Sequence, residues 1–536
     1  MEQRVIDAAR AAFSSSEPSV TLGAVVHGGA CDPTPVVSIP LSMMNRHGLI
    51  AGATGTGKTK TLQLLAEQLS AAGVPVFVSD VKGDLSGLGI GGEGGDRVRK
   101  RAEETGYGWA SRSFPVEYLS LTGKLGAQLR ATVSSFGPLL LSKVLGLNDT
   151  QTSVLTLVFK YCDDKGLLLL DFPDLRAVLQ FLSTDEGAAE LKDYGGMSKQ
   201  TVGVLLREMV ELEAQGAEDF FGEPEFDLDD LLQTERDGRG LVSVLELSDV
   251  QDRPALFSTF MLWMLARLYG DLPEVGDVEK PKLVFFFDEA HLLFDGASKA
   301  LLEQVEKVVR LIRSKGVGIF FITQNPRDVP ADILGQLGHR VQHALRAFTP
   351  DDEAALKSAA RTFPKTEFYD VEEVLTTLGI GEALVSTLTP NGVPTQPFAT
   401  RMIPPSSRMG PLTPEELAQR LALSEQVKEY AEDIDRESAR EMLQARVESR
   451  GRAGDGEERR DARDDRIRDD RDRADRDGED RDEDRARPRR NEPGVITQIL
   501  KSPVARSVAT QVTRGLMGAL LGGLGVRQSR RRRSRW

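Results

Sequence analysis

A chain of 536 residues is too long for one ordinary domain; at roughly 100–200 residues each, two to four units are expected. Hydrophobic residues make up 40% of it, enough for a large core, which excludes a chain disordered throughout. With 68 Lys and Arg against 82 Asp and Glu, the net charge of −14 excludes a uniformly basic nucleic-acid binder. Two cysteines, Cys31 and Cys162, make neither a disulfide framework nor a metal-ligand pair, the usage of a reducing cytoplasm. The opening MEQRVIDAAR carries acids where a signal peptide has an apolar run. No stretch approaches the roughly 18 apolar residues of a membrane span, and the longest candidate, Gly515–Val526, is short and glycine-rich. A soluble, cytoplasmic protein is the expectation.

Residues 1–45 read as a short N-terminal segment, with a helix over Val5–Phe13 and β-type stretches at Val20–Val26 and Val36–Ile39. Residues 46–138 open an α/β core. Its first strand is Leu49–Ala51, followed by the turn GATGTGKT, a helix over Lys60–Ala72 and a second strand, Val74–Ser79, running into DVKGD. Val116–Ser120 reads as a further strand. Over residues 139–235 the apolar spacing is mostly helical, which predicts a helical insertion.

The core resumes over 236–400 with strand Leu241–Leu247, helix Ala255–Leu268 and the apolar strand LVFFFDE at 283–289. Helix Ser298–Ser314, strand Val317–Thr323 and strands near Val341–Leu345 and Glu382–Ser386 complete it. Alternating strands and helices predict a parallel sheet covered on both faces. Residues 411–450 read as a helical segment and 451–493 as a charged linker. Within the linker, 451–490 hold 14 Arg and 16 acids with Ile467 the sole large aliphatic, too little to build a core. The tail, 494–536, carries one Lys, eight Arg and no acid, a local +9 that leaves −23 for the rest.

The strongest chemical signal is Gly52-Ala53-Thr54-Gly55-Thr56-Gly57-Lys58-Thr59, a GxxxxGKT phosphate loop followed by Lys60. The glycines let the backbone curl so that its N–H groups face phosphate, and the following helix adds its N-terminal dipole. Lys58 is positioned for the β- and γ-phosphates of ATP and the Thr59 hydroxyl for Mg²⁺. A second signal is Asp288-Glu289 at the end of an apolar strand. Asp288 can hold the Mg²⁺ shell there, and Glu289 can polarise the attacking water as general base. Together they point to ATP hydrolysis by a RecA-like P-loop core, with the helical insertion and a charged, partly disordered C-terminal extension added to it.

Gln324 closes the next strand, 36 residues after Asp288, where a polar side chain can sense the γ-phosphate. Arg313, 11 residues before Gln324, is either an arginine finger acting on a neighbouring subunit or a helix C-terminal charge. Arg310, Arg340 and Arg346 are its rivals. Although Asp288-Glu289-Ala290-His291 also spells the box of another helicase superfamily, the 230 residues from Lys58 to Asp288 and the missing second RecA-like half argue against that reading. His291 then reads as packing or capping at a helix start.

The ordered stretches NRHGLIAGATGTGKT, PVFVSDVKGDLSG, FFFDEAH and RSKGVGIFFITQNPRDVP make the chain resemble the HerA/FtsK branch of P-loop ATPases, above all its bacterial HerA-like members, over residues 36–400. The resemblance implies a ring-forming ATPase, a hexamer, that translocates along or remodels DNA. It implies Asp288 and Glu289 as Walker B residues, Gln324 as sensor, Arg313 as finger, and Asp80, Lys82 and Asp84 as shapers of the loop beside the nucleotide. Archaeal members place a β-barrel before the motor and work with a nuclease; 45 residues are too few for that barrel, and the nuclease is not carried over. The rival function is a nucleotide-dependent switch acting on a protein partner, without nucleic acid. The basic tail has three readings: a tether to DNA, a contact with the acidic remainder of the protein, or association with an anionic membrane.

Overall fold

Short runs rich in β-branched and aromatic residues form most of the twelve strands found among the described residues. They are β1 (Ser19–His27), β2 (Ala30–Pro40), β3 (Gly48–Ala51), β4 (Val76–Asp80), β5 (Val116–Ser120), β6 (Ala127–Gln128), β7 (Val242–Glu246), β8 (Leu283–Phe287), β9 (Val317–Thr323), β10 (His339–His343), β11 (Glu382–Ser386) and β12 (Phe398–Met402). In the computed structural model they make one sheet, ordered β2-β1-β12-β11-β10-β3-β9-β8-β4-β7-β5-β6. The described residues are 2–449 apart from 277, 296–298, 433 and 435, so the charged linker 451–493 and the tail 494–536 lie outside them.

From β10 to β6 every neighbouring pair is parallel. The central strands β3, β4, β7, β8 and β9 are buried at every position, as expected for strands covered on both faces. On the other side, β10, β11, β12, β1 and β2 pair antiparallel. The first 45 residues thus join the main sheet, and β12 extends it beyond the last strand read from sequence. Arg401 hides β12 from a search for apolar runs: its guanidinium is bonded to Glu382 and Glu104 and so is tolerated within the strand.

Between β6 and β7 the chain is helical, including Val133–Val144, Phe172–Leu182 and Lys199–Ala214. Phe136, Phe172, Phe220 and Phe221 from this stretch pack on one another, and Phe220 reaches Phe260 and Trp263 of core helix Pro254–Asp271. Sheet and helices form one body, drawn from residues up to Cys162 and from Leu168 to Leu443. Of the described residues, 163–167 and 444–449 fall in a second unit. Among the described residues no helix is long and apolar enough to cross a membrane.

Because the strands from β10 to β6 are parallel, their C-terminal ends share one edge. Gly52, Asp80, Glu246, Asp288, Gln324 and His343 all sit there, the edge where open parallel sheets bind ligands.

Candidate active site

β3 ends at Ala51, level with Thr323 of β9 and Gln342 of β10. Gly52 N donates to Thr323 O (3.3 Å) and Ala53 N to Ala344 O (2.9 Å), so both neighbouring strands pin the start of the loop. Gly52 takes φ of 153°, and a Cβ there would lie 2.5 Å from His343 Cβ. Gly55 and Gly57 take φ of 76° and 120°, which L side chains rarely adopt. Helix Lys58–Ala71 starts directly behind the loop, so its free N–H groups face the bowl the loop makes.

Inside that bowl Lys58 Nζ donates to Gly52 O (2.7 Å) and Ala53 O (3.3 Å). Burial lowers its pKa, and the nearby Glu289 charge opposes that. Thr56 Oγ1 donates to Ala53 O at 2.7 Å, bracing the turn. Thr54 Oγ1 donates to Gln324 Oε1 at 3.3 Å, joining the loop to the end of β9. Thr59 and Lys60 are half-buried in the first helical turn. Burial lowers the Lys60 pKa, with Asp84 and Asp80 pulling the other way.

The acidic pair follows β8, between β4 and β9 in the sheet. Ser79 Oγ on β4 accepts the Asp288 N–H at 3.1 Å. Asp288 is 2% exposed and its Oδ2 has no hydrogen-bond partner. Burial, reinforced by the Glu289 charge, pushes its carboxyl up to about 7. Glu289 is 4% exposed and takes φ of 47°, a strained value for a residue with a side chain. Its Oε1 is ion-paired with Lys82, while Oε2 makes no hydrogen bond and lies 3.4 Å from His291 Nδ1. Burial would raise the Glu289 pKa, but Lys82 outweighs it and holds the carboxyl below its ordinary value.

Lys82 is aimed by the DVKGD turn. The Asp80 carboxylate accepts N–H from Gly83 (2.8 Å), Asp84 (3.3 Å) and Leu85 (2.7 Å), closing the turn on itself. Beside it Glu246, at the end of β7, is pushed up to about 8 by burial and by the charges of Asp80, Asp249 and Asp84.

The structure therefore brings the phosphate loop, Asp288, Glu289 and Gln324 to one edge. Arg313 is not among them. It is exposed in the short 3₁₀ turn Arg313–Lys315, just before β9 begins, at the opposite edge of the sheet from Gln324. Arg340 likewise stands near the start of β10, and Arg310 is ion-paired with Glu306 on its own helix. Of the four arginines, Arg346 is the one that follows a strand into the loop edge, two residues beyond the Ala344 carbonyl that binds Ala53.

Two features escape sequence reasoning. One is the Lys82–Glu289 pair, which bridges residues far apart in the chain. The other is a buried relay in which Thr61 Oγ1 meets His343 Nε2 (2.9 Å) and His343 Nδ1 meets Glu382 O (2.9 Å). Burial pushes His343 down to about 4, so it stays neutral at physiological pH. A histidine closing the strand next to the phosphate loop is its one sequence signal.

A phosphate loop, a strand-end acid pair and a polar side chain on the adjoining strand, all at the C-terminal edge of a parallel sheet, define a P-loop ATPase. The chain belongs to the helicase HerA-like C-terminal family, whose model matches residues 29–531. It is similar, at 25% identity over 154 residues, to a protein of Methanocaldococcus jannaschii named as a probable helicase. That match spans 27% of this chain and 28% of the relative's length. Solved structures it is similar to include the bacterial conjugative coupling protein TrwB (14% identity, TM-score 0.48, 74% of this chain and 90% of that one). Another is VirB4 of Thermoanaerobacter pseudethanolicus (15% identity, TM-score 0.45, 75% and 99%).

Proposed function

We propose that the protein is an ATP-hydrolysing motor that moves along or remodels DNA as a ring, with six subunits as the expected number. The observation that carries the chemistry is the convergence of Lys58, Asp288, Glu289 and Gln324 on one sheet edge. Lys58, now bonded to the loop's own carbonyls, would exchange them for the β- and γ-phosphates of ATP. Mg²⁺, when bound, supplies charge neutralisation between phosphates; the Thr59 hydroxyl and the partnerless Asp288 Oδ2 are the oxygens suited to it. Glu289, kept ionised by Lys82, accepts the proton of the attacking water. Gln324, bonded to Thr54, is placed to register loss of the γ-phosphate and pass it to β9.

Family membership and the helicase name of the archaeal relative support DNA as the track. Arg313 lies at the opposite end of β9 from Gln324, so a finger role for it would act on a neighbour's site in the proposed ring. The competing reading is a switch on a protein partner. Steady-state ATPase rates with and without duplex DNA separate the two. The motor requires a rate that rises at least several-fold on adding DNA, whereas a rate indifferent to DNA at low and moderate salt supports the switch.

A further inference from the structure

His343 is fully buried at the C-terminal end of β10, the strand that pairs in parallel with β3 and so stands beside the phosphate loop. Its Cβ lies 2.5 Å from where a Cβ on Gly52 would sit, and its Cε1 lies 3.4 Å from where one on Gly57 would sit. The side chain thus reaches from one end of the loop to the other.

Its two ring nitrogens face different partners. Nδ1 is 2.9 Å from the carbonyl oxygen of Glu382 on β11, which can only accept, so Nδ1 carries the proton. Nε2 is then the bare nitrogen and accepts the hydroxyl of Thr61 at 2.9 Å. Burial, and after it the Lys58 charge, push the ring down to about 4, so this arrangement holds at physiological pH.

Thr61 lies in the first turn of helix Lys58–Ala71, and its own N–H donates to Gly57 O at 3.0 Å. A threonine inside a helix can turn its hydroxyl back to the carbonyl four residues earlier, and that bond bends the helix. Here that carbonyl is Gly57 O, and His343 takes the hydroxyl proton instead. The turn whose free N–H groups face the phosphates is spared that pull and is tied through the ring to β11. The start of β11 is itself held firmly. Gly381 N donates to Thr56 O inside the loop (2.9 Å), and the Glu382 carboxylate accepts from Gly379 N and from Arg401 Nη2 on β12, each at 2.9 Å.

We infer that His343 is a positioning residue for phosphate binding: by accepting the Thr61 hydroxyl it fixes the first helical turn against the loop, so that the backbone N–H groups and Lys58 are aimed before ATP arrives. The inference rests on the proposed nucleotide chemistry and adds a residue that acts on it through Thr61. A side chain that only fills the core and one that aims the loop differ in what their loss does. Lost packing lowers the folded fraction, and so the apparent kcat, with the KM for ATP unchanged. Lost aim weakens the grip on phosphates in ground and transition state alike, so KM rises while kcat holds.

The test is steady-state ATPase kinetics of the full chain, with MgATP titration to confirm that KM follows affinity, for Thr61→Val, His343→Phe and His343→Gln. Thr61→Val keeps the bulk and deletes the hydroxyl. His343→Phe keeps an aromatic ring and deletes the acceptor, whereas His343→Gln offers its Oε1 to the Thr61 hydroxyl. Thr61→Val and His343→Phe are each expected to raise KM by about tenfold or more, with kcat within about threefold of wild type. His343→Gln should keep KM within about threefold of wild type. Thr61→Val decides the matter should His343→Phe fail to fold, because valine and threonine share a branched shape. A wild-type KM in Thr61→Val, or a KM in His343→Gln as high as in His343→Phe, would overturn the positioning role and leave the phosphate loop in place. Failure of the wild type to bind ATP would remove the nucleotide reading and this inference with it.

Discussion

At the scale of single residues, the site depends on one cation inside the phosphate loop and one beside the acid pair. Lys58→Ala removes the buried charge that faces phosphate, so ATP binding should fall below detection in a titration. Glu289→Gln keeps that charge and loses only the base; ATP should bind normally while turnover drops by about 10²–10⁴. Lys82 is ion-paired with Glu289, which is held at a positive φ. Lys82→Ala should therefore lower kcat by about tenfold or more while the KM for ATP changes little, the mark of a group acting on the reacting step. Equal losses in kcat and ATP affinity would instead make Lys82 a part of the binding surface. The phosphate loop, the acid pair and Gln324 were legible because each closes an apolar run. Lys82 was placed beside the nucleotide, but its partner was not legible: the pair spans 207 positions, and only folding brings β4 against β8.

At the scale of elements, the parallel half of the sheet apart from the two-residue β6 could be read from sequence because its buried strands are largely apolar runs. The antiparallel half was harder. β12 carries Arg401, and the β1–β2 hairpin reads as local structure until β12 is known to receive it. Helix Lys58–Ala71 shows the same limit: Glu67 in its middle reads as a surface acid yet is 2% exposed, clasping Ser406 and Ser407. Burial raises its carboxyl from 4.5 to about 7, against which the serine N–H groups work. The folded state thus binds the Glu67 proton more tightly than the unfolded chain does. Stability from this group is complete below pH 4.5 and is lost as pH climbs toward about 7. At about 1.4 kcal/mol per unit the window holds roughly 3 kcal/mol. Denaturant midpoints at pH 5 and pH 8 should show the wild type losing stability relative to Glu67→Gln; parallel behaviour of the two proteins would contradict the rise that burial gives the Glu67 carboxyl.

At the scale of the whole molecule, the two edges of the sheet carry different chemistry. The loop edge holds the phosphate loop, the acid pair and Gln324, and β9 separates Arg313 from Gln324 by about 20 Å. If Arg313 serves a neighbour's site, Arg313→Ala should keep nucleotide binding and lose hydrolysis. Mixed with Glu289→Gln subunits it should recover partial activity, because some interfaces then join an intact base to an intact arginine. Absence of recovery, with mixed assemblies verified by mass, would transfer the role to Arg346 at the loop edge. The measurement closest to the central claim follows movement itself: displacement of a triplex-forming strand from duplex DNA by the full chain with ATP. Strand release that needs hydrolysis, and so is absent with Glu289→Gln, is the expected result. ATP hydrolysis at full rate with no strand released, on either side of the duplex, would contradict the motor and leave the switch.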